Sequence, residues 1–181
     1  MAVLVEAISV VLSVDAIDNK FPGGWGAFKR AVRNQTLCCD NEIARVGFMD
    51  PADVEDFVEV VCAEHLTFIE DGRAIDLAVV DQQRGPTIDC DWLEVGHIDW
   101  QGDPSKRITA ARLKGSQSNQ IMTTDGWEYE GSLSHTFGFT PNSADKRGLI
   151  FLRHEDGMEV YFNEFSGKEV YVGRASRARS E

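Results

Sequence analysis

The sequence predicts an α+β fold: a mostly antiparallel sheet with two helices in the N-terminal half, in the order β-α-β-β-α-β-β, and a β-meander at the C-terminus. Three stretches carry this expectation. Residues 3–14, VLVEAISVVLSV, are rich in Val and Ile with little room for a polar face, which predicts a central strand buried on both sides. Residues 50–65, DPADVEDFVEVVCAEH, place an N-cap Asp50 before Pro51 at the first helical position and repeat Val54, Phe57, Val58 and Val61 along one stripe. Residues 148–173, GLIFLRHEDGMEVYFNEFSGKEVYVG, read as three strands joined by turns at Asp156-Gly157 and Ser166-Gly167.

The other elements fall between these. Pro22-Gly23-Gly24 marks a turn, after which Trp25, Phe28 and Val32 predict a short helix over 23–33 ending in Lys29, Arg30 and Arg33, cations suited to a helix C-terminus. Residues 36–49, TLCCDNEIARVGFM, read as two strands with a turn at Asp40-Asn41, so that Cys38 and Cys39 face opposite sides. LTFIED and RAIDLAVVDQ read as strands joined at Asp71-Gly72. Further on, ITAARLKG and GWEYEGSL are expected as strands, and SLSHTFGFTPNSADKRG as a long loop. Domain organisation follows: an acidic α+β half over 1–100, a β-rich half over 101–175 packed on it in one compact domain, and a flexible polar tail over 176–181.

Charge narrows the function classes. The net charge is −12, and residues 1–100 hold 19 acidic against 7 basic side chains while the remainder balances at 11 and 11. The first half therefore repels nucleic acid and anionic membrane. Its plain reading is a solvated surface; its sharper one is a patch that docks a basic partner or mimics nucleic acid. Cys38, Cys39, Cys62 and Cys90 form no CxxC and are expected as reduced thiols of a cytoplasmic protein. Glu6 interrupts the apolar N-terminus, which has no basic leader and reads as a strand rather than a signal peptide, and no stretch approaches the roughly 20 apolar residues that span a bilayer.

The densest chemistry is residues 79–100, VVDQQRGPTIDCDWLEVGHIDW. Phosphate-loop and HExxH patterns are absent from the chain, His65, His97, His135 and His154 lie far apart, and DCDWLE begins a calcium loop without the glycine that such a loop needs, so no metal and no cofactor is expected. Cys90 lies between Asp89 and Asp91, whose like charge disfavours a thiolate nucleophile. Asp76 lies among apolar neighbours. The expectation is a strand, a Gly85-Pro86 turn clamped by Arg84 with Asp81 or Asp89, and a second strand. The same residues could instead line a small-molecule pocket. In that case Asp81, as base, Arg84, as anion holder, and Asp91 are the catalytic candidates, and Gln83, Arg84, Trp92 and His97 the ligand-binding ones. Trp92 and Trp100, eight apart, would share one face of an extended strand and are read as core or interface.

ARVGFMDPADVEDFV (44–58) and IDLAVVDQQRGPTIDCDWLEVG (75–96) resemble segments of a family of bacterial proteins of no assigned function. The resemblance covers roughly the first hundred residues. It implies a bacterial cytosolic protein and carries over no activity, cofactor or catalytic residue.

Three functions are compatible with these readings. The first is a non-enzymatic interaction module, expected as a homodimer paired through edge strands of the meander. The second is a small enzyme or metabolite-binding domain built on the 81–99 cluster. The third is an acidic decoy or immunity-type inhibitor of a basic partner.

Overall fold

The apolar run at 3–14 does not form one strand. In the computed structural model, which describes residues 1–136, 149–155, 158–163 and 168–172, it divides into β1 (Ala2–Val5) and β2 (Ile8–Ser13), which lie in different sheets. Between them Ala7 takes a left-handed φ of +51°. Its N–H donates to Gln82 Oε1 at 2.7 Å and its carbonyl accepts from Gln82 N at 3.0 Å, so a side chain and a neighbouring loop satisfy the backbone at the break.

Helix α1 (Val14–Lys20) follows β2 directly. Ser13 caps it by accepting from Ala16 N, a signal hidden at the end of the apolar run. Then come α2 (Gly24–Ala31), β3 (Cys38–Cys39), β4 (Ile43–Phe48) and α3 (Pro51–Ala63). Asp50 caps α3 by accepting from Ala52 N at 2.8 Å. The chain continues through β5 (Ile69–Glu70), β6 (Arg73–Ala74), β7 (Leu77–Asp81), β8 (Gly85–Pro86), β9 (Leu93–Asp99), β10 (Arg107–Leu113), β11 (Ile121–Met122) and the short α4 (Leu133–Thr136). A meander of β12 (Leu149–Glu155), β13 (Met158–Asn163) and β14 (Lys168–Val172) completes the described elements.

The central sheet has the order β3-β4-β2-β7-β8 and is antiparallel throughout. A second sheet has the order β11-β1-β10-β9, with β1 parallel to β11 and the other pairs antiparallel. β5 and β6 form a hairpin whose turn, Asp71 at φ +51° and Gly72 at φ +77°, has the two positive φ values of a tight two-residue connection.

Alternation along β2 sorts the layers. Ile8, Val10 and Leu12 point to one core, with Ala44 and Val46 of β4, Leu77 of β7, and Ile17, Phe28, Val54 and Val61 from the three large helices. Val11 points to the other, with Val3 and Val5 of β1, Ile43, Ala78, Val80, Leu93 and Ala111. The central sheet therefore has helices on one face and the second sheet on the other, and β2, buried on both sides, reads as a continuous apolar run for that reason. Cys38 belongs to the sheet–sheet core and Cys39 packs on the helical one, the opposite facing expected of neighbours on a strand.

The α+β class and the antiparallel character hold, and the described residues depart from other expectations in identifiable places. RAIDLAVVDQ is split into β6 and β7, because Ile75 N and Asp76 N turn aside to donate to the carbonyls of Phe68 and Thr67. GWEYEGSL is not a strand but a run of turns leading into α4, shaped by Trp127 N–Thr124 O and Ser132 N–Tyr129 O hydrogen bonds. The Asp156-Gly157 and Ser166-Gly167 turns, residues 137–148 of the expected long loop and the tail at 176–181 lie outside the described residues.

Leu12 is fully buried whereas Val60 is 52% exposed. Urea unfolding is expected to show Leu12→Ala losing about 2–5 kcal/mol and Val60→Ala changing by no more than about 0.5 kcal/mol.

Candidate functional site

The residues singled out at 81–99 are dispersed by the fold. Asp81, at the end of β7, accepts from Gln83 N at 2.8 Å and Arg84 N at 3.1 Å, so its carboxylate caps the turn into β8. Arg84 is exposed, and among the described residues its guanidinium has no carboxylate partner, so neither Asp81 nor Asp89 clamps the turn through it. Asp91 pairs instead with Arg73, and both side chains are well exposed. Gln83 is half-buried. Trp92 donates its indole N–H to Ala74 O at 3.1 Å and packs on the sheet–sheet core. Trp100 lies beyond the far end of β9 in a turn and meets Trp127 edge-on at 5.0 Å, so the two tryptophans do not share a strand face. His97 faces Thr109 Oγ1 at 3.1 Å across β9 and β10. Asp76 is buried, held by Lys20 at 2.8 and 2.9 Å and by Thr67 N at 2.7 Å.

Burial pushes all four thiols above the ordinary cysteine range. At Cys90 burial is the largest cause and Asp91 adds to it, against two backbone N–H donors that lower the value. Among the described residues no three His, Cys, Asp or Glu side chains are placed to hold a metal ion.

A buried polar network, unforeseen in the sequence, closes one end of the space between the two sheets. Glu6 Oε1 accepts from Trp127 Nε1 at 3.2 Å, Ser134 N at 2.9 Å and Ser134 Oγ at 2.7 Å. The Glu6 carbonyl accepts from Ser9 Oγ and from Arg45 Nη2, each at 3.0 Å. Arg45, on the sandwich side of β4, also donates to Ser9 Oγ at 2.8 Å and to Thr36 O at 3.3 Å. Its guanidinium fills the space where a Cβ at Gly47 would stand. Burial lowers the Arg45 pKa, opposed by Cys38 and Glu6. Gln82 O accepts from Thr109 Oγ1 at 2.7 Å, linking the network to His97. The signal for it was Glu6 itself, an acid inside an apolar run. Apart from Ser9, its partners lie between 39 and 128 positions away, beyond the reach of any local pattern.

Two hollows lined by described residues stand out. A cleft of about 1030 Å³ lies on the outer face of the second sheet. Gly96 and Ala110, directly opposite across β9 and β10, carry no bulk and leave space above the sheet, and beside them Glu94 and Arg112 form an ion pair at 2.8 Å. A groove of about 450 Å³ runs between α3 and the β7–β8 end of the central sheet. Ile8, Val54, Val58, Phe68, Val79 and Ile88 line it, and Glu55 and Asp81 stand among them.

Helix α3 carries Asp53, Glu55, Asp56 and Glu59, all exposed, ends on Glu64, and contains no basic residue. The helix dipole accounts for Asp53 in the first turn. It does not account for Glu64 at the C-cap, where a carboxylate is unfavourable, nor for Glu55 and Glu59, four apart, whose repulsion costs about 0.2–0.5 kcal/mol. None of these five has a cationic partner among the described residues. No family model matches the chain, and neither a curated protein nor a solved structure matches it.

Burial, and then the Arg107 cation, lower the His97 pKa. The folded protein then binds fewer protons than the unfolded chain near pH 6.5, so this residue's contribution to stability is present at high pH and declines as pH falls through about 6.5. Urea unfolding at pH 8 and 5.5 is expected to show a smaller loss on acidification for His97→Gln than for the wild type.

Proposed function

We propose that the protein is a non-enzymatic interaction module whose docking face is the outer side of α3 and the groove beside it. One observation carries the reading: α3 holds carboxylates where folding alone does not favour them, next to an apolar groove. The polar residues at 81–99 are occupied with a turn, a surface ion pair and a core contact. Met49 and Val60, 37% and 52% exposed, extend the apolar surface before and along the helix. Like charge keeps two α3 faces apart, so a homodimer would form elsewhere. The outer strands of the meander, β12 and β14, each have one edge unpaired among the described residues and supply that second reading. No helix among the described residues is long and apolar enough to cross a membrane.

A photo-cross-linking residue at Val60 is expected to give a discrete heteromeric product in the cells that make this protein, absent when the same group replaces exposed Lys114. Equal products from both positions, or none from either, would remove the α3 reading. A product with the mass of two copies would shift the assignment to self-association.

A further inference from the structure

We propose that the groove between α3 and the β7–β8 end of the central sheet docks a short amphipathic segment of another protein, with apolar side chains entering the groove and flanking lysines and arginines meeting the α3 carboxylates. This rests on the reading of α3 as the interaction face and adds the chemistry of the partner.

The groove has a buried floor and a half-buried wall. Ile8 and Val54, each 5% exposed, are held by the helical core, while Val58, Phe68 and Val79 are half-buried and keep apolar surface toward the opening. Its volume of about 450 Å³ has room for apolar side chains entering from its open side. Charge selects among the occupants of such a groove. Glu55 lies in its wall, and Asp53, Asp56, Glu59 and Glu64 follow along the same helix with no cation of the described chain to neutralise them. An acidic segment or an anionic membrane surface is repelled. A second copy would bring another α3 with the same charge. The chain's own C-terminal GRASRARSE has arginines but no large apolar side chain to fill the groove. A segment with two or three apolar anchors at helical spacing and basic residues on either side satisfies both the cavity and the charge, the recognition mode of an amphipathic helix laid into a hydrophobic groove. Basic flanks also speed encounter with this face, and salt slows it.

The test is selection of a phage-displayed random dodecapeptide library on the full-length protein, followed by affinity measurement of the enriched peptides. Enriched peptides are expected to combine at least two large apolar residues with net positive charge. Their affinity should fall at least tenfold for Val58→Asp. It should also fall at least tenfold for the double variant Glu55→Lys/Glu59→Lys, which reverses the charge at the groove's wall while keeping its apolar lining and remains informative if Val58→Asp does not fold. Peptides with acidic or uncharged flanks that still require Val58 would overturn the partner chemistry while leaving α3 as the interaction face. Peptides indifferent to both variants, or no enrichment, would overturn the groove as the docking site; the absence of a cross-link from Val60 as well would remove the interaction reading itself.

Discussion

Glu6 and Ala7 interrupt what would otherwise be one apolar strand, and both sheets depend on that interruption. Left-handed backbone at a non-glycine residue costs about 1–3 kcal/mol. At Ala7 the cost is offset by two hydrogen bonds to Gln82, each of which contributes about 1 kcal/mol. Above the break the chain is the second strand of the outer sheet; below it, the chain is the middle of the central one. The same short segment thus supplies Val3 and Val5 to one side of the sandwich core and Val11 to the other.

The consequences reach the surface in two directions. Toward the inside, Glu6 draws Trp127 and Ser134 onto the end of the sandwich, so that α4 and the segment before it are fastened 128 and 121 positions away from their anchor. The network has its polar atoms matched, and among the described residues Asp40 Oδ2 is the buried side-chain oxygen without a hydrogen bond, 3.1 Å from the Met1 amino group. Toward the helices, the first residue after the break, Ile8, is placed beneath α3 as part of the groove floor. The architecture therefore keeps its buried charge in a structural role and leaves an apolar hollow next to the acidic helix.

Local chemistry made part of this legible. The α3 boundaries followed from Asp50, Pro51 and the Val54–Phe57–Val58–Val61 stripe, and the β5–β6 turn from Asp71-Gly72. What escaped depended on distant partners. The 3–14 run looks uniform until Gln82 and Arg45 reach Glu6 and Ala7, and Ser13 looks like a strand residue until Ala16 donates to it. At the site, the density of polar residues over 79–100 drew attention, but sequence proximity did not become spatial convergence: Asp81 turns back onto its own loop, Asp91 turns out to Arg73, and Trp92 turns in to Ala74. The acidic face of α3 was visible as composition. Its neighbour, the groove, needs Ile8, Phe68 and Ile88 from three separate parts of the chain and could not be read from periodicity.

The most direct measurement of the break's central role is native-state hydrogen exchange at the Ala7 amide. If the break is a fastened part of both sheets, Ala7 N–H exchanges through global unfolding, with protection equal to that of the Val10 and Val11 amides in the middle of β2. Exchange at the rate of an open loop, with Val10 and Val11 still protected, would contradict the account and reduce the Glu6–Ala7 segment to an ordinary connection between strands.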